Sequence, residues 1–388
     1  MARRKGNEIR QQSSIYAHIV GWGMQLPKKA LTNEAIAAII DTSDEWIKAR
    51  TGINERRIAD EQETTAWLGL QAAKNALALT NILPGDVDLV IVATSTPENI
   101  FPSTASLIQH WLGAKSAGAF DLSAACSGFV YAVDMAAQAI RSGSIEIAIV
   151  IGTETMSRVL DWQDRGTCIL FGDGAGAVVL QAAREEGGVL SSVLRSDGGG
   201  ADLLAIPTLN STEIRSTESI GNPKLHKMYM HGSEVFRFAT RVIGDSVREA
   251  CRLAGITIDD VKLIIPHQAN ERIIQAAARS LDVEPERFMS NLSNYGNTSA
   301  ASIPLALCDA VHEKRINAGD YIVLVGFGGG LTWASMAIRW SLPQPGEVQV
   351  SRMAENRRRI GYWLVKWRVR FRRLWRFLTW RGDDDLDS

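Results

Sequence analysis

The chain has few cysteines and no hydrophobic run long enough to cross a membrane. Its four cysteines stand far apart, and no two of them form a C-x-x-C pair. A chain of 388 residues with so few cysteines is typical of a reduced protein without a disulfide framework, so we expect a cytoplasmic location. There is no stretch of about 18 apolar residues, and residues 1–14 are polar and basic. We therefore expect neither a transmembrane helix nor a secretory signal.

Charge is balanced over the whole chain but unevenly distributed. The net charge is −1, from 42 Lys and Arg against 43 Asp and Glu. Residues 341–388 hold 11 of the basic side chains and only 6 of the acidic ones, so the body is mildly acidic and the tail is basic. With 46% hydrophobic and 22% charged residues, the composition is that of a globular protein rather than a disordered or fibrous one.

Short apolar segments alternate with helix-length segments from about residue 15 to residue 340. Runs rich in Val, Ile and Leu, such as 89–93 and 147–151, are typical of strands that are covered on both faces. The segment 128–141 that lies between such runs has the length of a helix. The sequence therefore predicts an α/β protein.

Two halves of this region repeat each other. Residues 121–123 lead through a turn and Cys126 into an Ala-rich helix, and residues 291–293 lead through a turn and Asn297 into another. We interpret this pattern as a duplication that places one site between the halves. The predicted organisation is a polar extension (1–14), an N-terminal half with the nucleophile (15–185), a C-terminal half with His and Asn (186–340), a linker (341–355) and a basic, aromatic, helical tail with an acidic end (356–388).

Cys126 is the candidate nucleophile. It is predicted to lie at the first turn of the helix that ends near Arg141, where the positive end of the helix dipole favours a thiolate. Small residues on both sides of it allow a tight turn from strand to helix and a close approach by a substrate. An isolated cysteine in such a place is more often a small buried residue. Two segments further along the chain favour catalysis instead.

His267 and Asn297 are the candidate partners of the thiol. Each is expected to follow a strand in the second half and to project from the same carboxyl edge of a sheet. Alone, a histidine after a proline is a weak signal, and an asparagine in a Tyr-Gly-Asn-Thr turn is ordinary. Together with Cys126 they form a set suited to covalent catalysis.

The motifs around these residues resemble those of the β-ketoacyl-acyl-carrier-protein synthase III family, the initiating condensing enzymes of dissociated fatty-acid synthesis, in the thiolase superfamily. The resemblance covers about residues 15–340. It rests on the segments 51–57, 124–129, 164–176, 266–270, 296–302 and 327–330. It implies a thiolase-like fold, in which two pseudo-symmetric α/β halves form αβαβα layers.

The resemblance also implies a mechanism. Cys126 would take the acyl group from an acyl-CoA, and His267 and Asn297 would hydrogen-bond the malonyl thioester oxygen while the malonyl unit of malonyl-acyl-carrier protein loses CO2. The backbone N–H groups of Cys126 and Gly329 would form an oxyanion hole for the acyl carbonyl. CoA thioesters are substrates in this scheme, so we expect neither a cofactor nor a metal.

Further residues are assigned by the same resemblance. The CoA-binding set is Thr42, Trp46, Arg50, Arg165 and Asn270, although Trp46 could instead be a core aromatic residue of an amphipathic helix. Phe101 would close the acyl pocket of a partner subunit, which implies a homodimer. Arg272 and Arg237 would receive the acidic carrier protein, although exposed arginines are often only solvated. The sequence departs from many relatives at Ser233 and His231, which puts the CoA contacts there in doubt.

The tail lies outside the region of resemblance. In residues 356–381 the apolar side chains recur at helical spacing, with ten Lys or Arg in 357–381 and four of the chain's 11 Trp. The recurring positions are Ile360, Leu364, Trp367, Phe371, Leu374 and Leu378. Peripheral attachment to an anionic membrane is the favoured interpretation. Packing against the body or a partner helix is the second. Nucleic-acid binding is the third, and we expect no nucleic acid among the partners.

The predicted function is therefore the decarboxylative condensation of a short acyl-CoA with malonyl-acyl-carrier protein, in the cytoplasm and in part at the membrane surface. One alternative is a related acyltransferase or condensing enzyme of secondary metabolism with a different starter or acceptor. A non-catalytic, membrane-tethered member of the superfamily is a third interpretation. It is disfavoured because Cys126, His267 and Asn297 are all present.

Overall fold

A computed structural model describes residues 14–208, 226–341 and 350–380. The first half of the chain forms a five-stranded sheet in the order β1-β7-β6-β4-β5. Its strands are β1 Tyr16–Gln25, β4 Leu89–Ala93, β5 Gly118–Leu122, β6 Ile147–Thr155 and β7 Asp173–Ala183. Strands β4, β5 and β6 are parallel, whereas β7 pairs antiparallel with both β6 and β1.

The second half forms a four-stranded sheet in the order β11-β12-β13-β8. Its strands are β8 Gly188–Ser196, β11 Val261–Pro266, β12 Tyr321–Gly328 and β13 Thr332–Arg339. Two short antiparallel pairs lie beside the main sheets. They are β2 Lys29–Thr32 with β3 Glu55–Ile58, and β9 Leu204–Ala205 with β10 Tyr229–Met230.

The two sheets repeat one arrangement. Strands β8, β13, β12 and β11 follow the same order and directions as β1, β7, β6 and β4. In the place that β5 would take, Phe288 makes one isolated parallel bridge with Ile264. The predicted pair of pseudo-symmetric halves is therefore confirmed, with one strand reduced to a single bridge in the second half.

Helices complete five layers. Helices α5 Gly128–Arg141 and α9 Ser302–His312 lie between the two sheets and share one apolar core with both of them. Helices α3 Thr65–Ala78 and α4 Thr104–Leu112 cover the outer face of the first sheet. Helices α6 Gly232–Ala254 and α7 Glu271–Leu281 cover the outer face of the second. The predicted αβαβα layering is confirmed.

The remaining helices are α1 Asn33–Ala37, α2 Asp44–Thr51, α8 Leu292–Tyr295 and α10 Arg352–Trp380.

The tail helix begins earlier than the sequence predicted. The predicted linker 341–355 overlaps α10, which starts at Arg352. The Ser351 hydroxyl accepts the backbone N–H of Met353 and caps this start. The predicted boundary between the two halves, at residues 185 and 186, falls between β7 and β8. The proposed extension 1–14 and acidic end lie almost wholly outside the described residues. None of the helices in the described ranges is long and apolar enough to span a membrane.

Candidate active site

The nucleophile lies on a tight turn between β5 and α5. Ala125–Ser127 form a single 3-10 turn, and the α-helix begins at Gly128, two residues later than the sequence analysis placed it. Ala125 has a φ of 46°, a left-handed conformation that is uncommon for a residue with a side chain. The Ser127 hydroxyl donates to the carbonyl of Ala124 and fixes the turn. Cys126 is thereby held, buried, beside the first turn of α5.

Burial, rather than the helix dipole, dominates the resting state of Cys126. It raises the pKa of the thiol to about 12, although the hydrogen bond with Ser299 acts in the opposite direction. The sulfur lies 3.4 Å from the Ser299 hydroxyl oxygen. In the empty site the nucleophile is therefore a thiol, and it must lose its proton when it reacts.

His267 follows β11, as predicted, and lies in the interior. Its Nδ1 is 2.6 Å from the Ser302 hydroxyl, at the start of α9, and its ring packs edge-on against Phe327. Burial lowers the pKa of His267 to about 3. The ring is therefore neutral at physiological pH.

Asn297 does not follow a strand, and that part of the prediction is wrong. It follows the short helix α8 and is held by its backbone, whose N–H donates to Leu170 and whose carbonyl accepts from Gly172. Its Oδ1 accepts the N–H of Ser299 at 2.8 Å. This leaves the amide N–H2 as the donor available to a ligand.

Ser299 and Glu154 are residues that the sequence analysis missed. Ser299 has a φ of 49°, and its hydroxyl lies 2.9 Å from Oε1 of Glu154. Glu154 is fully buried near the end of β6. Burial raises the pKa of this carboxyl group, and its hydrogen bonds lower it. The sequence signal that could have identified Glu154 is an acidic residue near the end of a strand that begins with five apolar residues.

Glu154 is surrounded by hydrogen-bond donors. Its carboxyl group accepts from the Ser95 N–H through both oxygens, from the hydroxyls of Thr94 and Thr96, and from Ser299. The donors favour the charged form and burial favours the neutral form. Burial is the larger effect, so the pKa of this carboxyl group is raised and it binds a proton more readily than an exposed one.

The three predicted catalytic residues meet in one inner cavity. Cys126, His267 and Asn297 line a space of about 80 Å³, with Phe327 and Gly328 on its wall. Gly328 is the glycine that packs on the nucleophile, because a Cβ there would lie 2.6 Å from the backbone nitrogen of Cys126. Gly329, the predicted oxyanion-hole residue, follows it and lies against Leu204.

An outer cavity of about 720 Å³ joins the inner one. The two share five lining residues, which are Leu170, Met230, Gly232, Phe236 and Asn270. A surface cleft of about 900 Å³ is larger, but its lining, from Val20 to Gln181, holds none of the predicted catalytic residues. We therefore take the two joined cavities as the site.

The sequence is similar to those of known proteins. The family model for 3-oxoacyl-[acyl-carrier-protein] synthase III matches residues 120–198, and the model for its C-terminal part matches 251–340. A β-ketoacyl-[acyl-carrier-protein] synthase III from Desulfitobacterium hafniense strain Y51 is 50% identical over 323 residues, which cover 83% of this chain and 97% of the relative. The chain belongs to the synthase III family.

Solved structures agree on the fold. The crystal structure of the synthase III from Aquifex aeolicus VF5 has a TM-score of 0.77 and 45% identity, and the match covers 84% of this chain and all of that one. A priming β-ketosynthase from the R1128 polyketide biosynthetic pathway has a TM-score of 0.80 and 36% identity over 87% of this chain and 99% of that one. The enzyme is thus an acyltransferase with the thiolase fold.

In this synthase III family member, four of the five residues predicted to bind CoA line the outer cavity. Trp46, on α2, has the guanidinium of Arg165 at 4.8 Å and that of Arg50 at 5.8 Å from its ring centre. Trp46 is 38% exposed, so it is not the core aromatic residue of the alternative interpretation. Thr42, the fifth residue, does not line this cavity, and its buried hydroxyl has no hydrogen-bond partner among the residues that the structure describes.

The predicted carrier-docking arginines stand at the rim. Arg272 stacks over Phe236 at 5.4 Å, and Arg237 forms an ion pair with Glu234 on the same helix. Asn270 caps α7 with its Oδ1, and its Nδ2 donates to the carbonyl of Arg50. Ser233, one of the two departures from the family pattern, lines the same outer cavity. Phe101 is 85% exposed and lines neither cavity.

Proposed function

We propose that the enzyme condenses a short acyl-CoA with malonyl-acyl-carrier protein, releasing CoA and CO2, and so initiates fatty-acid synthesis. The observation that carries this proposal is the meeting of Cys126, His267 and Asn297 in one inner cavity that opens into a larger one. A thiol and two neutral donors suit a reaction that stores an acyl group and then stabilises an enolate.

The first half-reaction loads the starter. The sulfur of Cys126 attacks the thioester carbonyl, the bond to the CoA sulfur breaks, and the acyl group remains on the enzyme. The N–H groups of Cys126 and Gly329 would hold the carbonyl oxygen as it gains charge. Donors of this kind contribute roughly 10²–10³ in rate each.

The second half-reaction extends the acyl group. The malonyl unit loses CO2, and its thioester oxygen takes up negative charge as the enolate forms. His267, neutral because burial lowers its pKa to about 3, and Asn297 would donate to that oxygen. The enolate carbon then attacks the Cys126 thioester and yields the β-ketoacyl-carrier protein. The bond energy of the thioester and the loss of CO2 drive these steps, so no cofactor or metal is needed.

The outer cavity suits the nucleotide and pantetheine parts of CoA. An indole between two guanidinium groups offers a stacking face for adenine and positive charge for phosphates. Arg272 and Arg237 at the rim would attract the acidic carrier protein that takes the place of CoA. Docking requires Arg237 to share or leave its ion pair with Glu234.

A homodimer is part of the proposal. Ile100 and Phe101 form an exposed apolar pair ahead of α4, and β5 is the edge strand of its sheet. An unpaired strand edge beside exposed apolar side chains favours association with another copy. Phe101 of one subunit would then close the acyl pocket of the other.

We further place the enzyme in the cytoplasm, in peripheral contact with the membrane through residues 356–381. The basic and aromatic composition of that segment supports the contact. The alternative in secondary metabolism is not favoured, because the polyketide priming enzyme is 36% identical whereas the synthase III from Desulfitobacterium hafniense is 50% identical.

The test is product formation with a panel of starters. Acetyl-, isobutyryl- and longer acyl-CoAs are mixed with malonyl-carrier protein, and the β-ketoacyl-carrier protein is detected by mass. We expect a short starter to be preferred and His267→Ala and Asn297→Ala to lower the rate by roughly 10²-fold or more. Product from none of the starters would refute the proposed reaction. Transfer of the acyl group to a carrier without condensation would favour the acyltransferase alternative.

A further inference from the structure

The first half of α10 is docked on the body through an inner face. Arg358 is only 4% exposed, and its guanidinium donates to the carbonyl of Ala78, the last residue of α3, and to the carbonyls of Thr80 and Ile82 in the segment that follows. A helix leaves its last carbonyls unpaired, and a positive charge is also favourable there. The tail thus caps a helix of the body.

Two more residues extend this inner face. Tyr362 packs on the core of the α3 and α4 layer, under the Lys74 ammonium at 4.9 Å. Val365 lies against Gly113, where an added Cβ would approach its methyl group to 3.1 Å. Packing against the body, which the sequence left open, is therefore present on this face.

The outer face of α10 carries the apolar stripe, and it is exposed. Six large apolar side chains at steps of three, four and seven residues face away from the body. They are Met353, Ile360, Trp363, Leu364, Trp367 and Phe371. Trp363, Trp367 and Phe371 contact one another in series, with ring centres 5.7 and 5.9 Å apart. Four of the six positions of the predicted stripe, Ile360, Leu364, Trp367 and Phe371, thus lie on the face that the body leaves open. The side chains of the other two, Leu374 and Leu378, lie outside the described residues.

Positive charge surrounds this stripe. Arg352, Arg357, Arg359, Lys366 and Arg368 are exposed, against the single carboxylate of Glu355 in the whole helix. None of these five cations pairs with a carboxylate in the part of the chain whose side chains the structure describes. Aromatic and aliphatic side chains within a cationic border match a surface that is apolar below and negatively charged above. An anionic lipid headgroup layer has that chemistry.

The position of α10 fixes how the enzyme would sit on such a surface. Its contacts at Thr80, Ile82 and Gly113 precede β4 and β5, so it lies at the amino-terminal edge of the first sheet. Cys126 and the cavities lie beyond the carboxyl ends of the same strands. We propose that α10 is a rigidly docked interfacial helix that holds the enzyme on an anionic membrane with the substrate cavities facing away from the lipid. This inference rests on the membrane contact proposed above and adds its orientation.

Vesicle binding tests whether α10 binds an anionic membrane. Full-length protein is sedimented with neutral phosphatidylcholine vesicles and with vesicles that also contain phosphatidylglycerol. We expect binding to the anionic vesicles, weakened about tenfold or more by R359E/K366E, by W363S/W367S and by high salt. The control is Leu253→Ser, an equally exposed apolar residue on α6, which should bind like the wild type. Equal binding of all variants would overturn the proposal, as would a tail-dependent dimer that does not bind lipid.

A fluorescence measurement tests how the enzyme is oriented on the membrane. In a Cys126→Ser background, a polarity-sensitive fluorophore is attached to Ile360→Cys or to Lys48→Cys, on the helix that carries Trp46. We expect vesicles to shift the emission to shorter wavelength at position 360 and to leave position 48 unchanged. A shift at 48 would overturn the orientation. Condensation activity without lipid should be equal in W363S/W367S and wild type, so loss of lipid binding and failure of the proposed reaction remain distinguishable.

A second inference comes from the buried carboxyl group. Cys126 donates to Ser299, whose hydroxyl donates to Glu154, over distances of 3.4 and 2.9 Å. The other titratable group at the thiol is His267, whose ring nitrogen is bonded to Ser302 instead. We infer that Glu154 accepts the proton of Cys126 through Ser299 when the acyl group is loaded.

The step is balanced. The thiol proton moves to the Ser299 oxygen while the Ser299 proton moves to Oε1 of Glu154. The thiolate then forms the acyl bond, and the CoA sulfur leaves with the electron pair. The Ser299 hydroxyl then gives its proton to the CoA sulfur that leaves beside Cys126, and it takes the proton of Glu154 in return. Glu154 therefore acts as a positioning residue through Ser299, and the net products are the acyl-enzyme and CoA thiol.

The test compares Glu154→Gln and Ser299→Ala with wild type in the rate of Cys126 alkylation by iodoacetamide from about pH 6 to 10. We expect both variants to react roughly 10-fold or more slowly near pH 7 and to approach wild type at high pH, with rescue by Glu154→Asp. Asp134→Asn, another buried carboxyl group on α5, is the control. If Glu154→Gln fails to fold, Ser299→Ala alone decides. A wild-type pH profile in a folded variant would overturn the inference.

Discussion

The hydroxyl of Ser299 lies 3.4 Å from the sulfur of Cys126, although the two residues are 173 positions apart in the chain. Each residue belongs to a 3-10 turn that immediately precedes a helix, α5 in the first half and α9 in the second. The first residue of each turn, Ala125 or Ser299, has a left-handed backbone conformation. The pseudo-symmetry of the two halves therefore brings the nucleophile of one half against the turn of the other. Residues held in such conformations are strained and are often found at active sites.

His267 should make stability depend on pH. Its pKa falls from 6.5 to about 3 on folding, so the folded state binds fewer protons than the unfolded state. This contribution to stability is complete above 6.5 and is lost as the pH falls from there toward 3. Between pH 7.5 and about 5.5, wild type should lose roughly 1 kcal/mol that His267→Gln does not lose, as measured by urea unfolding. Equal losses in the two proteins would contradict a buried, neutral His267.

Trp46 should contribute to CoA affinity rather than to chemistry. Replacing it by Ala removes the stacking face between Arg165 and Arg50, which is worth roughly 1–3 kcal/mol by analogy with base stacking. We expect the KM for acyl-CoA to rise about tenfold while kcat stays the same. Trp363→Ala, another exposed indole on a helix, is the matched control in solution. An unchanged KM in Trp46→Ala would mean that the adenine binds elsewhere.

Arg358 should stabilise the folded body. Arg358→Ala removes the donor of the Ala78, Thr80 and Ile82 carbonyls, and the loss of even one hydrogen bond to a charged group costs roughly 1.5–3 kcal/mol. We expect the free energy of unfolding to fall by at least about 2 kcal/mol. The neighbouring Arg359 is exposed, and Arg359→Ala should change stability by less than about 0.5 kcal/mol. Equal effects of the two changes would show that α10 does not dock through Arg358.

Phe101 should matter to the assembly and not to the stability of the subunit. It is exposed in the single chain, so Phe101→Ala should change the unfolding free energy by less than about 0.5 kcal/mol. We expect the variant to dimerise more weakly and to accept longer starters, since the acyl pocket loses its wall. Light scattering and the starter panel measure these effects, with Leu253→Ala as the control. A variant with unaltered assembly and starter preference would exclude Phe101 from the pocket.

Much of the fold and the catalytic set could be predicted from the chain alone. Apolar strands such as β4 were visible because both of their faces are buried, and the helix that ends at Arg141 was predicted with its start placed two residues too early. Cys126, His267 and Asn297 could be identified because they stand in short, distinctive motifs. The start of α10 was missed because the capping Ser351 looked like part of a polar linker.

Other features depend on contacts between distant segments. The Ser299 and Glu154 pair joins residues 145 positions apart, and no local pattern connects them. In the glycine run, it is Gly328 whose added Cβ would reach the backbone nitrogen of Cys126, and only the register of β12 decides this. The inner face of α10 uses a buried arginine, which composition and periodicity assign to solvent.

The most direct test is the intact mass of the protein after incubation with acyl-CoA and then with malonyl-carrier protein. The wild type should gain one acyl group, and Cys126→Ala should gain none. The adduct should disappear when malonyl-carrier protein is added, as β-ketoacyl-carrier protein forms. An adduct that persists on Cys126→Ala, or a wild type that never gains an acyl group, would contradict covalent condensation at Cys126.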